Sequence, residues 1–360
     1  MASRDTLSQT LTHLIDDALW DSPWHRLSEA VSDLTEADLD YRPVAGVTGH
    51  WGSDMARPAR HGARAIYGHL IGATLEGADL LPPAGSDLSA EIEAFNWECG
   101  AAELAAAADA AHRQARDRAA ALADGALWEP ATDSGPLANF SNAEIIAQCF
   151  VLHPSWHLGQ LALVPKFRRM GHGVAPTPAA PSRDETLPPR GDWPFHMPPT
   201  GSPKALLLEL LRQAQMGCPW HAFERVADGL TVEEAEWSHH PDAGDEQALP
   251  VWIYARHVAA CDVMYADMAL GERHDDWDWV GQQVGGAPLR ATEPLVVSRR
   301  GYEFLRERVE AASDDQLEGV HEMHHGHAMT GWQVVACMIQ HRMWHGGQIA
   351  LIRDAYAGVA

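Results

Sequence analysis

The sequence is short of cysteine and of basic side chains. Its 360 residues include only five cysteines, an odd number without the clustered spacing of a disulfide framework. Lys and Arg total 26 against 50 Asp and Glu, a formal net charge of −24. That sign repels phosphate backbones and anionic lipid surfaces alike. We therefore expect free thiols in a reducing compartment, and neither nucleic acid nor a membrane as a partner.

Long apolar runs and the common catalytic motifs are also missing. No apolar run reaches the roughly 20 residues that span a bilayer. The N-terminal segment MASRDTLSQTLTHLIDDAL lacks the basic and apolar regions of a secretory signal, so we expect a cytoplasmic protein. There is no Ser-His-Asp order, P-loop or dinucleotide-binding glycine pattern in a suitable context. No familiar motif for acyl transfer or nucleotide binding is present.

Histidine and tryptophan are abundant, at 21 and 14 residues. Hydrophobic residues make up 46% of the chain and charged residues 21%, which is typical of globular proteins. The length is about twice that of a usual domain. The stretch from Pro165 to Pro203 contains too much proline for a helix or a central strand. We predict a first domain over residues 1–165, a Pro-rich linker over 166–202 and a second domain over 203–360.

The two predicted domains resemble each other in sequence. Each has an early Pro-Trp-His motif, with His25 and His221 separated by 196 residues. Near their ends stand CFVLHPSWHLGQLALVP, from Cys149, and CMIQHRMWHGGQIALIR, from Cys337. Eight of these 17 positions are identical without a gap, whereas unrelated segments would share about one. Internal duplication is the simplest interpretation.

Apolar residues recur at helical spacing in both halves, and runs of alternating β-branched residues are missing. We predict an all-α protein in which each half packs its helices as a four-helix bundle. Asn142 and Thr330 are candidate N-caps, and Thr231 with Glu234 has capping-box spacing. The predicted helices lie near residues 5–33, 61–80, 88–123, 142–164, 203–228, 249–270, 292–312 and 331–356.

A His-x-x-x-His pair occurs on the last predicted helix of each half. Side chains four apart share a helix face with Cβ atoms roughly 5–6 Å apart. Metal–nitrogen bonds are about 2.0–2.1 Å long, so both rings of a pair can reach one ion. Chance predicts about one such pair in this composition. The pair of His321 and His325, in the stretch HEMHHGH, is interpreted as a locally bonded loop.

A third histidine precedes each helical pair by the same distance, 84 residues. Two ligands on one helix and a third on a neighbouring helix make a common metal site in helical bundles. Three neutral imidazoles leave a coordination position open for water or substrate. The alternative for any single histidine is a buried residue without a metal. The sequence predicts one metal site at His69, His153 and His157, and a second at His257, His341 and His345.

Two glutamines lie on the same helix stripes as the predicted ligands. Gln160 and Gln348 follow the first histidine of their helices by seven residues. Each could orient an imidazole or donate to a water on the metal, or could be a buried amide that satisfies the backbone. Trp156 and Trp344 are expected in the core, with a pocket wall as the alternative. Gly159 and Gly347, which follow three residues later, are expected to permit close helix approach.

Other residues near these sites carry weaker signals. His25 and His221 could line the pockets, but we expect them to pack helices or to be exposed. Cys149 and Cys337 lie four residues before the first histidine of each pair and are expected in the core, with metal ligation or redox sensitivity as alternatives. No general base is evident. Proximity alone suggests Glu76, Glu98 and Asp262.

One histidine on the second helix followed by H-x-x-x-H-x-G-Q on the fourth resembles the DinB-like superfamily, which includes YfiT-like metalloenzymes. The resemblance covers residues 5–165 and 203–357. It implies bundles in up-down-down-up order, with long connections between the second and third helices at residues 81–87 and 271–291. It also implies a divalent ion, zinc or nickel, up to two per chain, held by the six histidines named above. The first half departs from the pattern at Pro154, at Leu158 and by eight extra residues before His69.

The resemblance implies a metal-dependent enzyme that acts on a small molecule through the open coordination position. Hydrolysis and transfer of a low-molecular-weight thiol both remain open, and the catalytic residues are unknown. The alternative is a non-enzymatic metal-binding or stress-response protein whose ion is structural or sensory. We expect either a monomer whose halves pair as a pseudo-dimer or a homodimer.

Overall fold

The fold is all-α apart from one short hairpin, which confirms the predicted class. None of the helices in the described residues is long and apolar enough to cross a membrane. Most of the predicted linker, most of the connection at 81–87 and the segment of the eight extra residues lie outside the described residues. The computed structural model describes residues 6–32, 34–41, 62–82, 96, 98–131, 140–169, 197–218, 221–237, 250–274, 276–285 and 293–359.

The long helices follow the predicted pattern in both halves. Those of the first half are α1 (Leu7–Asp16), α2 (Ala63–Leu80), α3 (Ala101–Ala120) and α4 (His153–Arg169). Those of the second half are α5 (Pro203–Arg212), α6 (Val251–Leu270), α7 (Pro294–Ala311) and α8 (Gly331–Val359).

Shorter elements connect the long helices. Short helices form at Leu27–Ser32, Glu36–Leu39, Asn142–Ile145, Phe223–Ala227, Val232–Glu236, Trp277–Gln283 and Asp314–Glu318. Strands β1 (Val320–Glu322) and β2 (Ala328–Thr330) pair antiparallel, with Val320 opposite Thr330. The sequence pattern does not indicate this hairpin, because each strand has only three residues.

The predicted helices at 5–33 and 203–228 are wrong in their length, because each is interrupted. A π-helical turn, Asp17–Asp21, ends α1, and the chain is then non-helical until Leu27. Pro23 lies in this interruption and has no N–H to continue a helical ladder. A second π turn, Gln213–Gly217, ends α5 in the same way. These interruptions precede His25 and His221 in the sequence by a few residues.

Helix caps agree with the sequence at two of three positions. Thr231 and Glu234 form the predicted capping box, in which each side chain accepts the other residue's backbone N–H. Thr330 accepts from the backbone N–H of Gln333 at 3.2 Å at the start of α8. Ser141, not Asn142, caps the short helix Asn142–Ile145, because its hydroxyl accepts from the Glu144 N–H at 3.3 Å. A serine one residue earlier is an equally good N-cap by type.

Pro154 lies in the first turn of α4 and is preceded by a π turn, Ile146–Leu152. The N–H of His153 bonds to the carbonyl of Gln148, five residues earlier. This wider spacing accommodates a residue that has no N–H of its own. The helix therefore continues through Pro154, with His153 and His157 one turn apart.

Helices α4 and α8 cross in backbone contact. A Cβ atom at Gly159 would overlap the carbonyl oxygen of Trp344, and one at Gly347 would overlap that of Trp156. The prediction that these glycines permit close helix approach is confirmed. Helix α2 packs on α3, α6 packs on α7, and the α4–α8 crossing joins the two halves. The helical histidine pairs of both halves consequently lie near one interface.

Candidate metal centres

The first candidate centre comprises His69 from α2 with His153 and His157 from α4. One nitrogen from each ring lies within 4.8 Å of the other two. The closest pair is Nε2 of His153 and Nε2 of His69, at 2.8 Å. The ring centroids are 4.4–4.9 Å apart. The three predicted ligands of the first half therefore converge.

The second candidate centre is arranged around His341, which belongs to two overlapping sets of ligand atoms, one with His345 and one with His257. The Nε2 atom of His341 lies 3.1 Å from Nε2 of His257, on α6, and 3.1 Å from Nε2 of His345. Two nitrogens bound to one ion at about 2.1 Å would be roughly 3.0–3.4 Å apart at octahedral or tetrahedral angles. The observed separations fall in that range. The donor set and its spacing fit a divalent ion.

The second centre also includes groups that the sequence analysis did not assign to it. His25 joins His341 and His345 in a set whose ligand atoms all lie within 4.8 Å of one another, and Cys261 joins His257 and His341 in another. The sulfur of Cys261 is 3.8 Å from each ring nitrogen of His257. Burial raises the pKa of the Cys261 thiol, so the thiol is protonated without a metal.

A glutamine carbonyl fixes one ring in each centre. Oε1 of Gln160 lies 2.7 Å from Nδ1 of His157, and Oε1 of Gln348 lies 2.7 Å from Nδ1 of His345. A carbonyl oxygen only accepts, so each Nδ1 carries the proton and each Nε2 keeps its lone pair. These two contacts leave the Nε2 lone pairs of His157 and His345 able to bind a metal.

Burial keeps the histidines of both centres neutral. It lowers the pKa of His69 to about 4 and holds the pKa values of the four helical-pair histidines well below the ordinary value. Neighbouring imidazoles lower the pKa values of those four further. Neutral imidazole is the form that binds metal, so no proton has to be displaced from a charged ring near neutral pH.

Access to the centres differs. His257 is exposed and His69 is half-buried, whereas the helical-pair histidines are buried in both halves. Each site is therefore closest to solvent on the side of its third histidine. The α6 side of the second centre is the more open of the two.

A cavity of about 170 Å³ lies one helical turn from the second centre, between Asp17 and Ser22 of the first half and Cys337 and Gln340 of the second. Burial and the nearby Asp21 and Asp16 raise the pKa of Asp17 to about 7. Both side-chain polar atoms of Gln340 are buried without a hydrogen-bond partner among the described residues. The cavity thus offers polar groups to a small molecule.

His25 and His221 were expected to pack helices or to be exposed, but each lies against a histidine pair. His25 contacts the histidine pair of the second half, and His221 contacts that of the first half. Each ring therefore lies at the candidate centre of the half to which it does not belong. The matched Pro-Trp-His motifs marked these residues, but sequence spacing alone does not show which half they approach.

The candidate general bases are placed differently from one another. Glu76 and Glu98 are exposed. Asp262 is completely buried in an ion pair with Arg342, which is itself completely buried. An acid already committed to a buried arginine is a poor general base, so Asp262 is better explained as a structural residue.

Other sequence interpretations agree with the structure. Cys149 and Cys337 are buried, as expected, and burial raises the pKa of both thiols to about 12. Trp156 and Trp344 are buried as well. Nε2 of His321 lies 2.9 Å from the carbonyl of Gln316, which is the local bonding expected for that residue.

No family model, curated protein or solved structure matches the chain. The histidine geometry therefore carries the functional proposal.

Proposed function

We propose that the chain is a divalent-metal-binding protein of the DinB-like type, with up to two zinc or nickel ions. In this proposal residues 1–165 and 203–360 are tandem four-helix bundles in up-down-down-up order, joined by the Pro-rich linker 166–202. The observation that supports it best is the convergence of imidazole nitrogens at two places. In both, the third histidine precedes the helical pair by 84 residues.

Hydrogen bonding alone accounts poorly for the second centre. Nε2 of His341 faces the Nε2 atoms of both His257 and His345, and one proton can bridge only one of these gaps. The Nε2 lone pairs that face each other across the remaining gap repel. A cation shared by the three Nε2 atoms would make both gaps favourable, which supports an ion over a purely structural cluster.

We further propose a metal-dependent enzyme of the hydrolase or low-molecular-weight thiol S-transferase type, acting in the cytoplasm on a small molecule. When bound, the ion supplies Lewis acidity at an open coordination position. The chain holds the ion with neutral imidazoles and orients two of them through Gln160 and Gln348. The acidic surface, with a net charge of −24, favours neutral or cationic substrates.

Metal content is the first test. Protein purified without an affinity metal should contain up to two ions per chain by elemental analysis. His69→Ala and His257→Ala should each remove one of them, because each takes a ligand from one centre. His321→Ala is a matched control, since His321 bonds locally to Gln316. Protein without a bound ion, or ion content unchanged in both variants, would reject the proposal.

Activity is the second test. The loaded protein should convert small esters or amides, or should join a thiol such as cysteine to an electrophilic acceptor, and a chelator should abolish the reaction. If metal is bound but neither reaction depends on it, the enzyme assignment fails and metal binding stands.

A non-enzymatic role is favoured by one observation at the second centre. His25 lies close enough to His341 and His345 for their ligand atoms to fall within 4.8 Å of one another. An ion saturated by protein side chains leaves no position for a substrate and is typical of structural sites. The two centres need not share one role.

A further inference from the structure

His25 belongs to the first half but lies against the centre of the second. Its ring stacks on His341 with centroids 5.1 Å apart and on Trp344 with centroids 4.7 Å apart. It meets His345 edge-on at 5.8 Å. His25 is thus in contact with both helical-pair ligands of the second centre.

The ring nitrogens of His25 are available to an ion. Both are buried, and neither has a hydrogen-bond partner among the described residues. One of them lies within 4.8 Å of a ligand atom of His341 and of His345. Buried polar atoms in native proteins are nearly always paired, so an unpaired imidazole beside a candidate metal site is the position expected for a ligand.

His221 makes the reciprocal approach to the first centre. Its ring centroid is 5.1 Å from that of His153, 5.8 Å from that of His157 and 5.2 Å from that of Trp156. The two crossed histidines therefore have matching aromatic neighbours on α4 and α8.

The hydrogen bonds of His221 nevertheless differ from those of His25. Nδ1 of His221 is 3.0 Å from Nε2 of Gln148, and the thiol of Cys218 donates to Oε1 of Gln148 at 3.1 Å. Because the thiol fixes the amide oxygen toward itself, the amide nitrogen donates to Nδ1 of His221. A neutral imidazole that accepts at Nδ1 carries its proton on Nε2, where it is a hydrogen-bond donor and not a metal ligand.

We propose that the two halves exchange histidines: His25 is a fourth nitrogen ligand of the second centre, whereas His221, held by Gln148, stays outside the coordination shell of the first. This proposal rests on metal binding at the two centres. It assigns four imidazole ligands to the second ion and three to the first.

The test uses Co²⁺ as the probe in the full-length chain. His69→Ala/His157→Ala disables the first centre and isolates the second, and His257→Ala/His345→Ala does the reverse. Visible absorption during titration gives the affinity, and X-ray absorption at cobalt gives the number of imidazole ligands. The isolated second centre should show four imidazoles and the isolated first centre three.

Phenylalanine substitutions remove the nitrogens and retain the stacked ring. In the isolated second centre, His25→Phe should reduce the count to three and weaken Co²⁺ binding by more than the roughly 10–100-fold that losing an orienting residue costs. In the isolated first centre, His221→Phe should leave the count at three and change affinity by less than about tenfold. His13→Phe, at an exposed histidine of α1, should change neither.

Four imidazoles at the isolated first centre would overturn the assignment of His221.

Failure of the exchange is distinguishable from failure of metal binding. Three imidazoles at an otherwise native second centre would overturn the role of His25, would leave metal binding intact and would not depend on how His25→Phe folds. If neither isolated centre binds Co²⁺, the proposed function falls and the exchange falls with it.

Discussion

The helices that carry the two histidine pairs differ at the residue after the first histidine. Pro154 follows His153 in the first half, and Arg342 follows His341 in the second. The first helix reaches its pair through a π turn, whereas the second is a continuous α-helix. Two different backbones thus present the same pair spacing. The geometry of the pair, and not the regularity of the helix, is what the halves share.

The buried polar groups beside these helices differ too. In the second half Arg342 bonds to Asp262, Gln215 and Ser298 in the interior. Thr74 lies 188 residues before Asp262, and its hydroxyl is 3.3 Å from Nε2 of His112. The interior of the second half therefore contains an ion pair where the first contains a neutral pair. The halves should respond differently to mutation and to pH.

Breaking the ion pair between Arg342 and Asp262 should produce the largest difference in stability between variants of the two halves. Arg342→Met leaves the Asp262 carboxylate buried without its partner, which should lower the free energy of unfolding by about 3–5 kcal/mol. Urea unfolding of the metal-free protein measures it. Arg342→Met/Asp262→Leu should recover most of the loss, and Thr74→Ala in the first half should cost only about 1 kcal/mol. Equal losses for Arg342→Met and Thr74→Ala would contradict the comparison.

Lowering the pH should destabilise the folded protein through His112, which belongs to the neutral pair of the first half. Burial lowers the pKa of His112 to about 4, below its ordinary value of 6.5. The unfolded chain therefore takes up this proton first, and the stability that His112 contributes above pH 6.5 is lost as the pH falls toward 4. The loss for this one group is about 3 kcal/mol.

Urea unfolding at several pH values measures this effect. Between pH 7 and pH 4 the free energy of unfolding should fall by about 3 kcal/mol less in His112→Leu than in the wild type. Parallel curves would mean that His112 protonates as easily in the folded protein as in the unfolded chain.

The helix crossing tests what the halves have in common. Gly159→Ala and Gly347→Ala each place a methyl group against the backbone of the opposite helix, so each should cost about 1–3 kcal/mol or more. Gly72→Ala is the matched control, because a Cβ there meets nothing within 4 Å and alanine favours a helix by about 0.5–1 kcal/mol. Thermal unfolding should place the two crossing variants below the wild type and the control at or above it. A large difference between the crossing variants would show that the contact is not equivalent in the two halves.

The smallest effect should come from the orienting glutamines. Gln160→Leu removes the acceptor from His157 and should weaken metal binding at the first centre by roughly 10–100-fold. Gln348→Leu should have an effect at the lower end of that range, because His25 adds a further nitrogen to the second centre. Chelator competition measures both affinities. The larger loss in Gln348→Leu would argue against a fourth ligand.

The sequence predicts the helical class and the convergence of spaced histidines well, because both depend on local periodicity. His153 and His157 are neighbours on any helix, and duplication of the same spacing in the second half strengthens the expectation. The role of Gly159 is predictable for the same reason. A small residue on the ligand-bearing face predicts a close helix neighbour.

The crossing of His25 and His221 is not predictable from spacing. Their positions depend on interruptions after α1 and α5 and on how the halves pack, which are long-range properties. Arg342 illustrates the same limit. An arginine within an apolar helix is usually expected at the surface, and its burial follows only from Asp262, 80 residues earlier, being brought beside it.

The position of His25 sets an order of events during synthesis. The ribosome adds this residue 316 positions before His341. The first half therefore emerges with a ring whose neighbours do not yet exist, and contacts between such distant positions form late. The second centre cannot be assembled until His345 has left the ribosome.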